Sequence, residues 1–564
     1  MKRINYILNF GLLSLAALMS CDSVLDKGPL DSFTNDNFWT NAGNVEGYAN
    51  TFYNQFTGYG NGSGTGLFYF KTLSDDQAGN GFSDWEQKNN LVTNSTWKNC
   101  YVEIRRANVM IENTPKIAAE EAVINHWIGV ARLMRAQQYF QLVRMFGDVP
   151  YAEQSLDITD EGVIYGPRTG RDVVMDKVLD DLNFAATHIN DVTSKVAWNR
   201  SMANAMKADI CLYEGTFRKY RKTEDGQPAP DAAGAQKFLT ACKEACSAVM
   251  AKSYELNGSY QGNYNSVDLS ANKEMIFYKT YKQTTFTHSL VAYTCASTQI
   301  HGMTKDAFDA YLFTDGKPLA LTDRDKNLIP PLVDGKLSLV DMLAVRDGRL
   351  NETIDPVLLY PSNPNKRFDG DMEQTSSTGY GVRKYDNSSI PLAFRNQTNA
   401  NYTHAPIFWL SVVYLNYAEA CAELGSITQE DLNKTVNLLR SRAGLPGLTV
   451  AVGFSDPANN HGVSSLIWEI RRERRCELMF DNWFRYWDLI RWHQLDKLDS
   501  TTYPNILLGG DVRNDPDYTA GKVNNLIDGS KGGTRTYDKK YYLYPVPSGQ
   551  IDLNPQLNPN NPGW

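Results

Sequence analysis

Between Ser74 and Asn90 the chain reads SDDQAGNGFSDWEQKNN, a stretch with neither a helical nor a strand period that nevertheless holds two aromatic side chains, Phe82 and Trp85. Sugar rings present apolar C–H faces that lie flat on aromatic rings, and hydroxyls that need amide or carboxylate partners. Trp85 with Phe82, Asn80, Asp84 and Gln87 therefore has the chemistry to hold a carbohydrate. The competing reading is a loop tucked onto the core. A second stretch, FYKTYKQTTFTHSLVAYTCASTQIHG, sets Tyr281, Phe286, His288, Tyr293 and His301 among Thr, Ser and Gln. Alternation through Glu274 to Tyr281 predicts a strand with one buried face, which explains some of these aromatics without a ligand but not those that follow Tyr281.

Other chemistries find little support. The glycines from Gly58 to Gly66 lack both the GxGxxG spacing and the Gly-Lys-Ser/Thr ending of a phosphate loop. Asp323, Asp325, Asn327 and Asp334 imitate a calcium loop, yet Leu328 stands where its glycine is needed and Pro330 and Pro331 follow. The seven His form no HExxH, so neither a metal nor a cofactor is predicted. Glu419 and Glu423, four apart on one helix face, read as structural carboxylates. A net charge of −8 argues against nucleic acid. The eight Cys contain no CxxC pair, and Cys242 and Cys246 read as buried helical thiols.

These loops need elements to carry them. Met1 to Ser20, with Lys2, Arg3 and a short apolar run, reads as a signal peptide. Cys21 behind Leu18, Met19 and Ser20 resembles a lipobox cysteine, which would leave an acylated, anchored protein. Apolar spacings of three and four predict helices over Thr40–Gln55, Trp97–Asn113, Glu120–Phe146, Arg171–Asn190, Arg200–Tyr220 and Ala235–Met250. In the third of these, Leu133, Ala136, Phe140 and Val143 line up beside Tyr139, Leu142 and Phe146, which implies burial over a wide arc. Trp97, four residues before Tyr101, is assigned to packing. Helix starts about 34 residues apart suit paired helices stacked as a solenoid. From Tyr254 to Tyr402 the period fades into irregular structure with short strands. Helices resume over Pro406–Gly425 and Asp431–Ala443.

The chain is organised around Ile467 to Trp492, IWEIRRERRCELMFDNWFRYWDLIRW, which has no Gly or Pro and a plausible cap in Ser464. It reads as one helix, or two with a bend. Its charges fall among apolar positions, so they must be paired, and the three-residue spacings Arg474–Glu477, Arg485–Asp488 and Asp488–Arg491 offer partners. With Phe480, Trp483, Phe484, Tyr486, Trp487 and Trp492 in the same segment, it reads as a buried structural element and not an active site.

The segment ERRCELMFDNWFRYWDLIRW resembles the signature of the SusD/RagB family of nutrient-binding outer-membrane lipoproteins. RAQQYFQLVRMFGDVPY, from Arg135 to Tyr151, resembles the family's N-terminal hallmark, and YLYPVPSGQIDLNPQLNPNNPGW, from Tyr542, its terminal one. Trp409 and Val412 depart from it, since relatives often carry Arg and Glu there. The resemblance implies a mainly α fold, a tetratricopeptide-like α-α superhelix with a large loop-rich region and few short strands. It also implies binding without turnover: a glycan captured at the cell surface, at an outer membrane to which the protein is lipid-anchored, and passed to a SusC-like TonB-dependent transporter. The ligand loops would come from the two aromatic stretches. The organisation expected is a signal peptide over 1–20, a helical region over 21–253 carrying the ligand loop 74–90, an irregular ligand-binding region over 254–402, and C-terminal helices with a tail packing back over 403–564. The alternatives are a helical glycoside hydrolase, which would need two carboxylates across an aromatic cleft, a binder of peptides, and a scaffold with no small ligand.

Overall fold

The computed structural model describes residues 38–61, 66–68, 74–79, 91–295, 301–360 and 376–564. Cys21 and the expected signal peptide lie outside them. Helix α1 (Ala42–Asn50) begins where the Asn41 side chain accepts the Asn44 amide and runs on as a 3-10 turn, Thr51–Gln55. Five long helices follow: α2 (Ser95–Asn113), α3 (Glu121–Phe146), α4 (Arg171–His188), α5 (Arg200–Tyr220) and α6 (Ala232–Met250). Asn94, Asn199 and Asp231 cap α2, α5 and α6 with their side chains. From α2 onward each packs on its predecessor, and α5 and α6 then pack on α7 (Leu410–Glu423). This is the stacked-pair, tetratricopeptide-like array expected from the helical period. Both stripes of α3 are buried, as is Trp97.

The stretch around Ile467–Trp492 is two helices, α8 (Ser465–Glu477) and α9 (Phe484–Arg491), with the Ser464 hydroxyl accepting the Ile467 amide. Between them Phe480, Asn482 and Trp483 adopt positive φ of 68°, 45° and 57°. Two of the three expected ion pairs do not form. Asp488 does pair with Arg491 at 2.8 Å, but Arg474 turns to Asp488 at 2.9 Å instead of Glu477, and Arg485 reaches Asp75 at 2.6 Å. Glu477 is taken by Arg349 and Arg442. Partners from other elements win because they bury these groups with several hydrogen bonds each, which a solvated i,i+3 pair cannot match.

The strands are short. Strand β1 (Gln77–Gly79) pairs antiparallel with β3 (His301–Met303), and β2 (Met275–Lys279) with a strand over Ala405–Trp409. The helix expected over Pro406–Gly425 is therefore a strand up to Trp409 and helical only beyond it. The helix expected over Asp431–Ala443 breaks at Thr435 into Gln429–Lys434 and Val436–Arg442. Strand β2 is buried on both faces and not on one. Ile276 and Phe277 join the core of the helical array, whereas Met275 and Tyr278 join a second core built from residues 260–527 and the aromatics Tyr59 and Phe68. The strand pair is thus a septum between two cores. Among the described residues no helix is long and apolar enough to cross a membrane.

The tail folds back on the end of α3. Tyr544 N donates to Met145 O at 2.7 Å, and Asn561 Nδ2 to Phe146 O at 2.9 Å. The guanidinium of Arg144 lies 4.3 Å from the Trp487 ring of α9. The three hallmark segments therefore meet in space.

Candidate functional site

Of the expected loop, Asn80, Phe82, Asp84 and Trp85 lie outside the described residues; the structure describes what holds both ends. In the β1–β3 ladder Gly79 faces His301, so the two aromatic stretches, more than two hundred residues apart in sequence, leave from one small sheet. A side chain at Gly302 would collide with Ser376 Oγ at 2.1 Å and Thr378 Oγ1 at 2.2 Å, which is why that position takes glycine. Ser377 Oγ donates to Ala78 O at 2.5 Å. At the far end Leu91 O and Val92 O accept the amides of Ser548 and Gly549.

What fixes β1 is the pair of carboxylates just before it. Arg485 Nε and Nη2 clamp both oxygens of Asp75 at 2.7 and 2.6 Å, and Arg475 Nε donates to Asp76 at 2.7 Å. Burial works against both carboxylates. At Asp75 it is overcome by Arg475 and Arg485, which hold the group below the usual carboxylate range; at Asp76 burial prevails and pushes the group up to about 6. The helix pair α8–α9 so anchors the loop that was expected to contact a ligand. Nothing in the spacing of Asp75, Asp76, Arg475 and Arg485 announces this, because the partners are some four hundred residues apart.

The second stretch divides by burial. Tyr281 is buried, and its hydroxyl donates to Tyr59 O at 2.6 Å. His288 is fully buried, and burial pushes it down to about 3. Its neutral ring donates from Nε2 to Thr403 O at 3.0 Å and accepts the Leu290 amide on Nδ1. These two residues, expected at the ligand, spend their polar atoms inside the fold. They stack instead into a platform: the rings of Tyr281 and Phe286 lie 5.2 Å apart and nearly parallel, with His288 edge-on to Tyr281. Phe286, 51% exposed, is presented by a tight turn in which Thr284 takes φ 65° and Lys282 bridges Phe286. Tyr293 is half-buried against the second core. His301, also half-buried, is pushed down to about 4 by burial and then by Arg535.

Of the polar groups not anticipated from the sequence, Lys279 sits by the Phe286 ring and others gather around Ser289, three residues on. Ser289 Oγ donates to Asn61 Oδ1 at 3.0 Å and accepts the Asn399 amide at 2.9 Å. Lys279 Nζ lies 5.4 Å from the Phe286 ring while donating to Phe56 O. Asn61 belongs to the glycine-rich stretch from Gly58 to Gly66. An exposed ring with an ammonium near it, and a hydroxyl and amides on the adjoining segment, suits a ligand with a flat apolar face and a polar rim. Glu419 and Glu423 face elsewhere, Glu419 toward Arg491 and Trp492 and Glu423 toward Lys219, Tyr220 and Arg471, all in hydrogen-bond contact.

A family model described as the SusD family matches residues 248–564, and one described as starch-binding associating with outer membrane matches residues 30–212. A SusD-like protein of Formosa agariphila is 23% identical over 484 residues, covering 84% of this chain and 81% of the relative. Another from the same organism is 28% identical, but over 214 residues that span 36% of this chain and 41% of that protein. A SusD-like protein of Bacteroides ovatus is 22% identical over 84% of this chain and 79% of its own length. Among solved structures, a SusD-like carbohydrate binding protein from Bacteroides fragilis superposes with a TM-score of 0.70 at 22% identity, covering 92% of this chain and all of the other. A laminarin binding SusD-like protein does so at 0.54 and 17%, over 93% of this chain and all of its own.

Proposed function

Since the chain belongs to the SusD family, we propose that it is a glycan-binding lipoprotein, anchored through Cys21 at the outer membrane and exposed at the cell surface, which passes oligosaccharide to a SusC-like TonB-dependent transporter. The match of the family model to residues 248–564 carries this reading. The exposed stacking surface at Phe286 supports it, as do a starch-binding family description and a laminarin-binding structural neighbour, both of which favour a glycan over a peptide. On this reading the helical regions 21–253 and 403–564 carry a ligand surface built largely by 254–402. Trp85, Phe82 and Phe286 stack on sugar rings, while Asn80, Asp84, Tyr293, His301 and Asn61 meet hydroxyls. Tyr281 and His288 support the Phe286 ring from beneath.

The protein binds and does not cleave. Purified protein mixed with oligosaccharides is expected to retain them by titration calorimetry without releasing reducing ends; new reducing ends would identify a hydrolase, and no retention of any glycan would remove the binding role. Anchoring is tested separately: Cys21→Ala is expected to be exported yet extractable without detergent, and a variant that still partitions with membranes would refute lipidation there.

A further inference from the structure

Along α8, at Trp468, Arg471, Arg472 and Arg475, the chain forms a half-open cavity of about 290 Å³. That is the low end for a small-molecule site and room for one six-membered ring with a substituent. One wall is apolar, made of Ala310, Pro318, Leu319 and Ala320, and Trp468 stands half-buried at its edge. The other wall is cationic.

Most of that charge is already matched. Arg485 holds Asp75, Arg475 holds Asp76 and Asp306, and Arg472 holds Asp456. The third lining carboxylate, Asp309, is taken by Lys305. Two groups are left over. Arg471, 3% exposed, spends Nη2 on Glu423 at 3.0 Å, but its Nε and Nη1 are buried with no acceptor. Lys497 has no carboxylate within ion-pair distance among the described residues, and its ammonium rests 4.9 Å from the Trp468 ring and 5.9 Å from that of Tyr503. Buried donors without acceptors, as on Arg471, are costly and uncommon in folded chains, while Lys497 is half-buried.

We propose that this cavity is a second binding site, for a small carboxylate on a six-membered ring, with the carboxylate on Lys497 and Arg471 and the ring between Trp468 and the Pro318–Leu319 wall. The unspent donors supply what an anion needs and a neutral ring does not. Burial, and after it the guanidinium of Arg485, pushes Lys497 down to about 8, so an arriving anion relieves a strained cation. The same chemistry is offered by a sugar acid and by an aromatic acid.

Glucuronate and benzoate, with glucose and benzyl alcohol as their neutral counterparts, are titrated into the full mature chain. At least one carboxylate is expected to bind in the millimolar range or tighter while its neutral counterpart does not. Binding of glucuronate alone assigns the site to sugar acids, of benzoate alone to aromatic acids, and of both to the carboxylate itself. Lys497→Met is expected to weaken binding about tenfold or more, and Ala320→Phe, at an exposed lining position, to block it. Oligosaccharide binding at the Phe286 surface is expected to be unchanged in both variants, so loss of the cavity and loss of the glycan site are read separately. The proposal fails if neither carboxylate binds, if the neutral rings bind equally well, or if a folded Lys497→Met keeps full affinity. Should that variant not fold, undiminished binding by Ala320→Phe overturns it.

Discussion

The α8–α9 pair and the surface around Phe286 draw on the same residue types, aromatics interleaved with polar and charged groups, and put them to opposite use. In α8–α9 the charges are consumed within the protein: Glu419 grips Arg491 through two bonds of 2.6 and 2.7 Å, Asp488 bridges Arg491 and Arg474, and Lys384 sits on Asp481 at 2.9 Å. At Phe286 a ring is half in water, with the Lys279 ammonium 5.4 Å from its centre. Composition does not separate a scaffold from a binding surface. What separates them is whether the rings are covered, since the polar groups near Phe286, like those of α8–α9, have protein partners.

The contrast breaks first at Glu419. Glu419→Gln leaves the buried Arg491 guanidinium only Asp488, already shared with Arg474, and is expected to cost about 3–5 kcal/mol of folding stability; a melt within experimental error of the parent would deny that α8–α9 is held by its ion pairs. Acid should expose the same interaction. Burial raises the Glu419 carboxyl, but Arg491 overrides it and brings the group down to about 2 from 4.5. A folded-state value below the unfolded one means stability that is present above pH 4.5 and lost as the pH falls toward 2, about 3 kcal/mol in all. Urea unfolding across that window should show a shallower acid slope in Glu419→Gln than in the parent.

Arg485→Ala sharpens the comparison because Arg485 joins α8–α9 to Asp75, just ahead of β1. Releasing Asp75 is expected to cost about 2 kcal/mol of stability, raise amide exchange over residues 74–79, and weaken glycan binding through the loop that β1 carries. Unchanged affinity would mean that the loop does not depend on its arginine anchor. The smallest effect belongs to the exposed ring: Phe286→Ala should lose about 1–2 kcal/mol of glycan affinity with an unshifted melt. A lowered melt with intact binding would place Phe286 in the scaffold instead.

Much of the scaffold was legible. Long helices announce themselves through the spacing of Leu133, Ala136, Phe140 and Val143, and their starts through caps such as Ser464, because both signals are local. The septum was not. Nothing within Met275–Lys279 says that Phe277 meets one core and Tyr278 another; that depends on two bodies of chain closing over it from opposite sides. Strand Ala405–Trp409 was hidden for a related reason, since a fully apolar run fits a buried strand and a buried helix equally well.

For the candidate site, the sequence determined which stretches hold rings and hydroxyl partners without an amphipathic period to account for them, and the family to which its hallmark segments belong. Tertiary structure decided the rest. It turned Tyr281 and His288 inward, left Phe286 out, added Asn61 and Asn399, and gave Arg485 to Asp75, 410 residues away, in place of Asp488 three residues on. A local pair on a helix face is worth a few tenths of a kcal/mol in water. A buried charge must be matched in full wherever the fold places its partner, and spacing along the chain carries no record of that place.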